Sequence, residues 1–178
     1  MANGISKSTS LLTDTRSLLS QGKRQQKEGE RFLQFSLQSG INGLIPLSDL
    51  QGTIEVALQD ILPVPQVAEF WLGIVNWQGE AIWIIDLAGL LGANHWCRQD
   101  PVTISGMAIL MEVEQHTIGL LVEEVKSIET YQPQLCLPVA EVNCSERLRS
   151  LLKGYFLDEH GEPSMLLDIN SLISILQS

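Results

Sequence analysis

The stretch that decides the fold is residues 72–87, which read LGIVNWQGEAIWIIDL. Its two apolar runs flank the polar residues 76–79 (NWQG), and this pattern predicts two short strands joined by a tight turn. Asp86 then precedes an apolar run that stops at Gly92. Asp is a favoured helix N-cap and Gly a favoured helix stop, so a short helical turn is predicted there.

The same order of features recurs near the C-terminal end of the sequence. Gly154 begins a second strand–turn–strand pattern, and Asp168 precedes a second apolar stretch that predicts a capped C-terminal helix. Gly73 and Asp86 are 13 residues apart, and Gly154 and Asp168 are 14 apart. This recurrence indicates an internal duplication.

The remaining strand patterns predict the fold class. A first hairpin is expected with Ser39-Gly40 and Asn42-Gly43 as turn signals and a strand within residues 44–50. Short strands at roughly ten-residue spacing with frequent turns are typical of small β-barrels. We expect a mainly β protein of two small β-barrels packed together, with short helical turns and a C-terminal helix. The subdomains would span about residues 31–92 and 106–178, after a flexible N-terminal arm of residues 1–30.

Charge is unevenly distributed over the 178 residues, whose net charge is -10. Residues 1–31 carry six basic and three acidic side chains, whereas residues 32–178 carry five basic and 18 acidic ones. A body of this charge repels phosphate backbones, so nucleic-acid binding is not expected. The basic arm is either a solvated tail or a weak contact with an acidic partner or a membrane surface.

Several classes of site lack support in the sequence. It contains no run of about 18 apolar residues and no apolar signal-peptide core, so we expect a cytoplasmic protein without a transmembrane segment. Its three cysteines, Cys97, Cys136 and Cys144, form no CxxC pattern and no disulfide framework. Phosphate-binding, zinc-protease and nucleophile-elbow motifs are absent. We therefore expect that the protein is not an enzyme and that it binds no cofactor and no metal.

For two acidic residues and two glycines we expect a structural role and not a catalytic one. Asp86 and Asp168 resemble each other in position, but helix capping is favoured over a catalytic pair because the residues that follow them lack the pattern of aspartic proteases. Gly73 and Gly79 are expected to serve backbone geometry, and Asn76 to cap the turn.

Aromatic and charged residues around residues 76–79 are candidates for protein contact. Trp77 lies in the predicted turn, where an exposed tryptophan is a good interface anchor; burial in the core is the competing interpretation. Trp83 would add a large side chain to the same surface or to the core. Glu55 and Glu80 are candidate rim charges for a basic partner or simply solvated side chains.

Together these segments resemble the CheW-type coupling domains. Residues 72–87 follow that family's signature, and Pro65 stands where the family commonly has a proline. Further matches are residues 44–47 (LIPL), residues 118–125 (IGLLVEEV), Gly154, and residues 166–168 (LLD). The resemblance covers about residues 31–176, nearly all of the chain except the arm.

The resemblance implies two five-stranded SH3-like barrels and a non-enzymatic adaptor. Such adaptors couple the cytoplasmic tips of chemoreceptors to the regulatory domain of a CheA-like histidine kinase, in two-component systems for chemotaxis, phototaxis or pilus motility. They are cytoplasmic and recruited to receptor arrays at the inner face of the membrane. The candidate contacts are thus Asn76, Trp77, Gln78, Gly79, Glu80, Trp83 and Glu55.

Two residues depart from the family's pattern. Gln78 replaces a usual arginine, which in the family sits near the contact with receptor or kinase, and Trp83 replaces a usual proline. Gln78 lacks the charge and forked donor geometry of arginine. The alternative interpretation is therefore a diverged regulator that engages a membrane surface or pilus machinery through its basic arm.

Overall fold

The computed structural model describes residues 29–37, 40–92 and 105–177. Its ten strands are β1 (Glu30–Leu37), β2 (Ile41–Pro46), β3 (Gly52–Ala57), β4 (Trp71–Trp77), β5 (Glu80–Asp86), β6 (Ser105–Val113), β7 (His116–Val122), β8 (Glu124–Tyr131), β9 (Leu152–Leu157) and β10 (Pro163–Leu167). Its α-helices are α1 (Leu87–Leu90), α2 (Glu146–Ser150) and α3 (Ile169–Leu176). Residues 1–28 of the predicted arm lie outside the described residues.

The strands form two five-stranded sheets, each of which builds one barrel. Barrel 1 has the order β8-β1-β2-β10-β9, and barrel 2 has the order β3-β6-β7-β5-β4. The predicted mainly β fold of two small five-stranded SH3-like barrels is confirmed.

The two halves of the chain exchange strands between the barrels. Barrel 1 combines the hairpin β1–β2 with β8, β9 and β10, whereas barrel 2 combines the hairpin β6–β7 with β3, β4 and β5. Four strand pairs join the two halves: the parallel pairs β2 with β10 and β5 with β7, and the antiparallel pairs β1 with β8 and β3 with β6. Each barrel therefore takes strands from both of the predicted subdomains, 31–92 and 106–178.

Apolar side chains form one core between the barrels and one inside each barrel. The shared core combines Leu33 and Phe35 of β1 with Ile109 and Leu120 of barrel 2, and all four are buried. Smaller clusters fill barrel 2 around Ile82 and barrel 1 around Phe32, Leu44, Phe156 and Leu166. The strands thus bury apolar side chains on both faces, and the two barrels pack as one body.

Two details of the first hairpin differ from the prediction. Asn42-Gly43 lies inside β2, not in a turn, because β2 already begins at Ile41. Gly43 faces the ring of Phe35, and a Cβ there would lie 2.3 Å from the ring carbon Cζ. The predicted strand within residues 44–50 ends at Pro46, and Leu47–Asp49 forms a 3₁₀ turn. Gly43 is required to make room for an aromatic side chain, which a turn signal does not reveal.

The sequence analysis also missed α2. The sequence analysis predicts no element for residues 146–150, where the Ser145 hydroxyl accepts a hydrogen bond from the Leu148 N–H at 3.2 Å. This is a serine N-cap on a helix of five residues, too short for a clear apolar period.

Candidate protein-docking site

The β4–β5 turn holds the central candidate residues in a left-handed geometry. Gln78 and Gly79 form a two-residue turn with φ of 53° and 87°. Positive φ at both positions matches the twist of the flanking strands. The Gly79 N–H donates to Asn76 Oδ1 at 3.3 Å, across the turn. The side chain of Gln78 is therefore exposed on a short turn with a defined backbone.

Trp77 lies at the end of β4, against the interior of barrel 2. Its indole is half-buried and packs on the apolar cluster around Ile82. In the hairpin register Trp77 is paired with Glu80, and Ile82 follows two residues later on β5. Paired residues project from the same face of a hairpin, so Trp77 and Glu80 lie side by side. One part of the Trp77 side chain thus packs on the core of barrel 2, and the rest is accessible to solvent.

Trp83 lies on the opposite face of the hairpin from Trp77. It is paired across the hairpin with Ile74. Neighbouring residues of a strand point to opposite faces, so Ile74 and Trp83 lie on the face opposite the inward-facing Val75. Trp83 is half-buried against the shared core, and its ring meets Trp71 edge to face, with centroids 5.4 Å apart. The structure therefore brings Trp83 together with Trp71 and separates it from the Trp77–Glu80 pair.

Glu55 is exposed on β3, away from the β4–β5 turn in the sheet order. Its Oε1 accepts a hydrogen bond from the Ser105 hydroxyl at 3.0 Å, across the pairing of β3 with β6. It is thus placed on the rim of barrel 2 by an edge strand. The contiguous set of candidates is Asn76, Trp77, Gln78, Gly79 and Glu80.

Gly73 and Gly154 occupy equivalent positions of close backbone approach. A Cβ on Gly73 would lie 2.1 Å from the Leu62 carbonyl oxygen, and one on Gly154 would lie 2.7 Å from that of Leu137. Each glycine therefore lets a crossing segment form an isolated bridge, Leu62 with Ile74 and Leu137 with Tyr155. Pro65 is exposed in the first of these segments, next to Gln66 with a positive φ of 64°.

Asp86 and Asp168 cap helices at the ends of β5 and β10. Asp86 is buried, and its carboxylate accepts from the Gly89 N–H at 3.1 Å. Asp168 accepts from the Asn170 and Ser171 N–H groups at 3.1 and 3.3 Å. Both carboxylates thus stabilise helix N-termini.

Several apolar side chains are exposed that the sequence analysis did not single out. Leu62 is 68% exposed and Leu135 is 62% exposed, and both belong to the segments that cross the glycines. Leu157 of β9 and Ile128 of β8 are also about half exposed. Pro63 next to Leu62 and Pro133 two residues before Leu135 are a weak sequence signal, because an apolar residue in a proline-broken segment has no regular strand face to occupy.

Two described side chains of barrel 1 and its crossing segment have pKa values above their ordinary ones. Burial raises the pKa of the Cys136 thiol, with the Tyr155 backbone hydrogen bond opposing it. The pKa of Tyr131 is raised, first by burial and then by Glu129. Within the three described ranges, no group of three His, Cys, Asp or Glu residues could hold a metal ion. No helix in those ranges is long and apolar enough to cross a membrane.

Comparisons with known proteins point to one family. A family model described as the CheW-like domain matches residues 31–177. The probable chemotaxis protein CheW of Rhizobium etli is 32% identical over 91 residues, 51% of this chain and 56% of that protein. The chemotaxis protein CheW of Rhizobium meliloti is 27% identical over 110 residues, 62% of this chain and 67% of that protein. The match thus spans little more than half the length of the first relative.

A solved structure shares the fold. The scaffolding protein TtCheW from Thermoanaerobacter tengcongensis superposes with a TM-score of 0.64 at 18% identity, covering 79% of this chain and 89% of that one.

Proposed function

Because the chain belongs to the family of CheW-like domains, we propose that it is a non-enzymatic adaptor that couples a chemoreceptor to a CheA-like histidine kinase. The observation that carries this proposal is the match of the family model to residues 31–177, which includes both barrels. The proposed partners are the kinase's regulatory domain and the cytoplasmic tip of the receptor. The proposed location is the cytoplasmic side of the membrane, at receptor arrays.

We assign the kinase or receptor contact to the β4–β5 turn of barrel 2, residues 76–80. The turn presents the half-buried indole of Trp77, the exposed amide of Gln78 and the exposed carboxylate of Glu80. Trp77 is anchored in the barrel, so it can bury its remaining surface at an interface with little loss of conformational freedom. A rigid aromatic anchor beside polar groups is a common arrangement of interface hot spots.

Gln78 gives this turn a different charge from that of an arginine-bearing relative. Glu80 is the one charged side chain among residues 76–80. A partner that offers a carboxylate to the family's arginine would meet an uncharged amide here. We therefore propose a partner surface that is neutral or basic where it meets the turn.

The alternative of a diverged regulator that uses its arm on a membrane has no support among the described residues. Its basic segment, residues 1–28, lies outside them.

The test is binding of the full chain to the regulatory domain of a CheA-like kinase and to a receptor tip encoded in the same genome. Titration calorimetry is expected to give a saturable complex with at least one of them. The absence of binding to every such kinase and receptor would contradict the adaptor proposal. Binding that persists unchanged when residues 76–80 are substituted would retain the adaptor and reject this site.

A further inference from the structure

A cleft of about 490 Å³ opens beside the first residues of β1, between β1, β6 and the start of α3. Its lining is mixed, and its apolar members include the buried Phe32 and Met111 and the half-buried Ile169 and Ile173. We name it the β1–α3 cleft. It lies apart from the β4–β5 turn, with which it shares no residue.

The rim of the β1–α3 cleft is acidic. Four carboxylates line it, from Glu30, Asp49, Glu112 and Asp168, against one lysine, Lys153. Glu30, Asp49 and Glu112 are exposed. Glu112 accepts from the Gln51 amide at 3.1 Å and Asp49 from the Ser48 hydroxyl at 3.3 Å, which hold both carboxylates near the rim. Carboxylates beside apolar side chains fit a segment that combines basic and apolar side chains.

Such a segment precedes the cleft directly in this chain. Residues 1–28 carry five basic and two acidic side chains, and Leu18 and Leu19 precede the basic residues Lys23, Arg24 and Lys27. The segment joins the body at Gly29, next to the cleft residue Glu30. A Cβ on Gly29 would lie 2.8 Å from the Tyr131 carbonyl oxygen, so β8 fixes this junction.

Distance along the chain favours contact between this segment and the rim. Lys23 is six residues from Gly29, so it reaches at most about 20 Å from the junction even when fully extended. Tethering raises the effective concentration of the segment at the cleft, which lets individually weak ion pairs hold it.

We propose that residues 16–28 of this chain occupy the β1–α3 cleft, with Lys23, Arg24 and Lys27 against its acidic rim and Leu18 and Leu19 over its apolar side. The inference does not rest on the proposed function, because it concerns a contact within one chain.

Zero-length carbodiimide cross-linking of the full chain tests the contact. It joins a lysine amine to a carboxylate only when they touch, and mass spectrometry locates each amide. We expect links from Lys23 and Lys27 to Asp49 or Glu112, with a yield roughly fivefold lower in about 0.5 M salt than in about 0.02 M salt, because salt screens exposed ion pairs. Lys7, in the same segment but far from Gly29, is the internal control and should give few links to the rim.

A charge exchange makes the test specific. Lys23→Glu with Lys27→Glu should abolish the links, and adding Asp49→Lys with Glu112→Lys should restore links of the reversed polarity. Mixing ¹⁵N-labelled and unlabelled chains separates links within a chain from links between chains. Links found only between chains, or no rim links while the full chain binds phosphatidylserine vesicles through residues 1–28, would overturn the proposal. Links at the rim that ignore both salt and the charge exchange would overturn it as well.

Discussion

Trp71 and Trp83 meet edge to face on the outer side of the β4–β5 hairpin, with ring centroids 5.4 Å apart and ring planes at 77°. Both indoles are half-buried against the core that the two barrels share. The pair therefore joins the hairpin to the barrel interface, while Trp77 on the other face packs inside barrel 2.

Replacing either tryptophan of this pair should destabilise the fold. Trp71→Ala and Trp83→Ala should each lower the free energy of unfolding by about 2–3 kcal/mol, below the cost at a fully buried site. The double variant should show a coupling of about 0.5–1.5 kcal/mol from the edge-to-face contact. Urea unfolding followed by circular dichroism measures all three. Strict additivity of the two single changes would contradict an energetic contact between the rings.

Trp77→Ala should weaken partner binding in a variant that still folds. Loss of an interface anchor is expected to lower the affinity for the kinase regulatory domain or receptor tip at least about tenfold. Calorimetry of the folded variant measures the affinity, and urea unfolding measures its stability. Leu157→Ala removes an exposed apolar side chain from barrel 1 and serves as the control. Equal affinities for Trp77→Ala and the unaltered chain would exclude Trp77 from the contact.

Gln78→Arg should change binding through charge. A guanidinium on the turn adds a forked donor, so affinity for a kinase that pairs with arginine-bearing relatives should rise by about 3- to 30-fold and become more sensitive to salt. Gln115→Arg is the matched control, because Gln115 is also exposed with a positive φ in a hairpin turn of the same barrel. If both variants bind alike, net charge and not position 78 determines the effect.

Gly73→Ala should be strongly destabilising. A Cβ would lie 2.1 Å from the Leu62 carbonyl oxygen, and φ at this position is 142°. We expect a loss of at least about 3 kcal/mol, or failure to fold. Gly52→Ala is the control, since no atom lies within 4 Å of its Cβ position and the residue belongs to β3. Thermal unfolding distinguishes them, and a Gly73→Ala protein as stable as Gly52→Ala would show that the crossing segment can move away.

Stability should depend on pH through Asp158. Backbone N–H groups of Glu162 and His160 donate to its carboxylate at 2.8 Å, and chiefly the Glu162 hydrogen bond holds its pKa below the ordinary value. A lowered folded-state pKa means that the stabilisation is present above the unfolded pKa of about 3.9 and is lost as pH falls through the folded value. Asp158→Asn should therefore be less stable than the unaltered chain at pH 6, and the gap should close toward pH 2.

Urea midpoints between these pH values measure the gap. Glu159→Gln, at the neighbouring exposed position, controls for general loss of negative charge. A constant gap across the range would show that the Asp158 hydrogen bonds do not depend on its ionisation.

The sequence of residues 72–87 was enough to predict most of the structure of this segment. The hairpin, its turn and the helical turn after Asp86 all follow from local features, namely apolar alternation, the NWQG segment and an N-cap. Other positions could not be predicted from local features of the sequence, because they depend on contacts across the sheet. Gly43 looked like a turn residue because its need to accommodate the Phe35 ring depends on a contact across the sheet. The sequence left Trp83 open between the surface of Trp77 and the core, and strand parity places it on the face opposite Trp77, against the shared core.

The sequence by itself determined that two copies of a hairpin-and-cap unit exist, because alternation and capping are encoded within about 15 residues. Only the tertiary structure decided which copy supplies each strand. The parallel pairs join residues as distant as Asn42 and Ser164, and Trp83 and Ile118. Both copies carry similar apolar strands, so either copy offers partners of the same pattern. The packing of both barrels onto one shared core selects the exchanged arrangement.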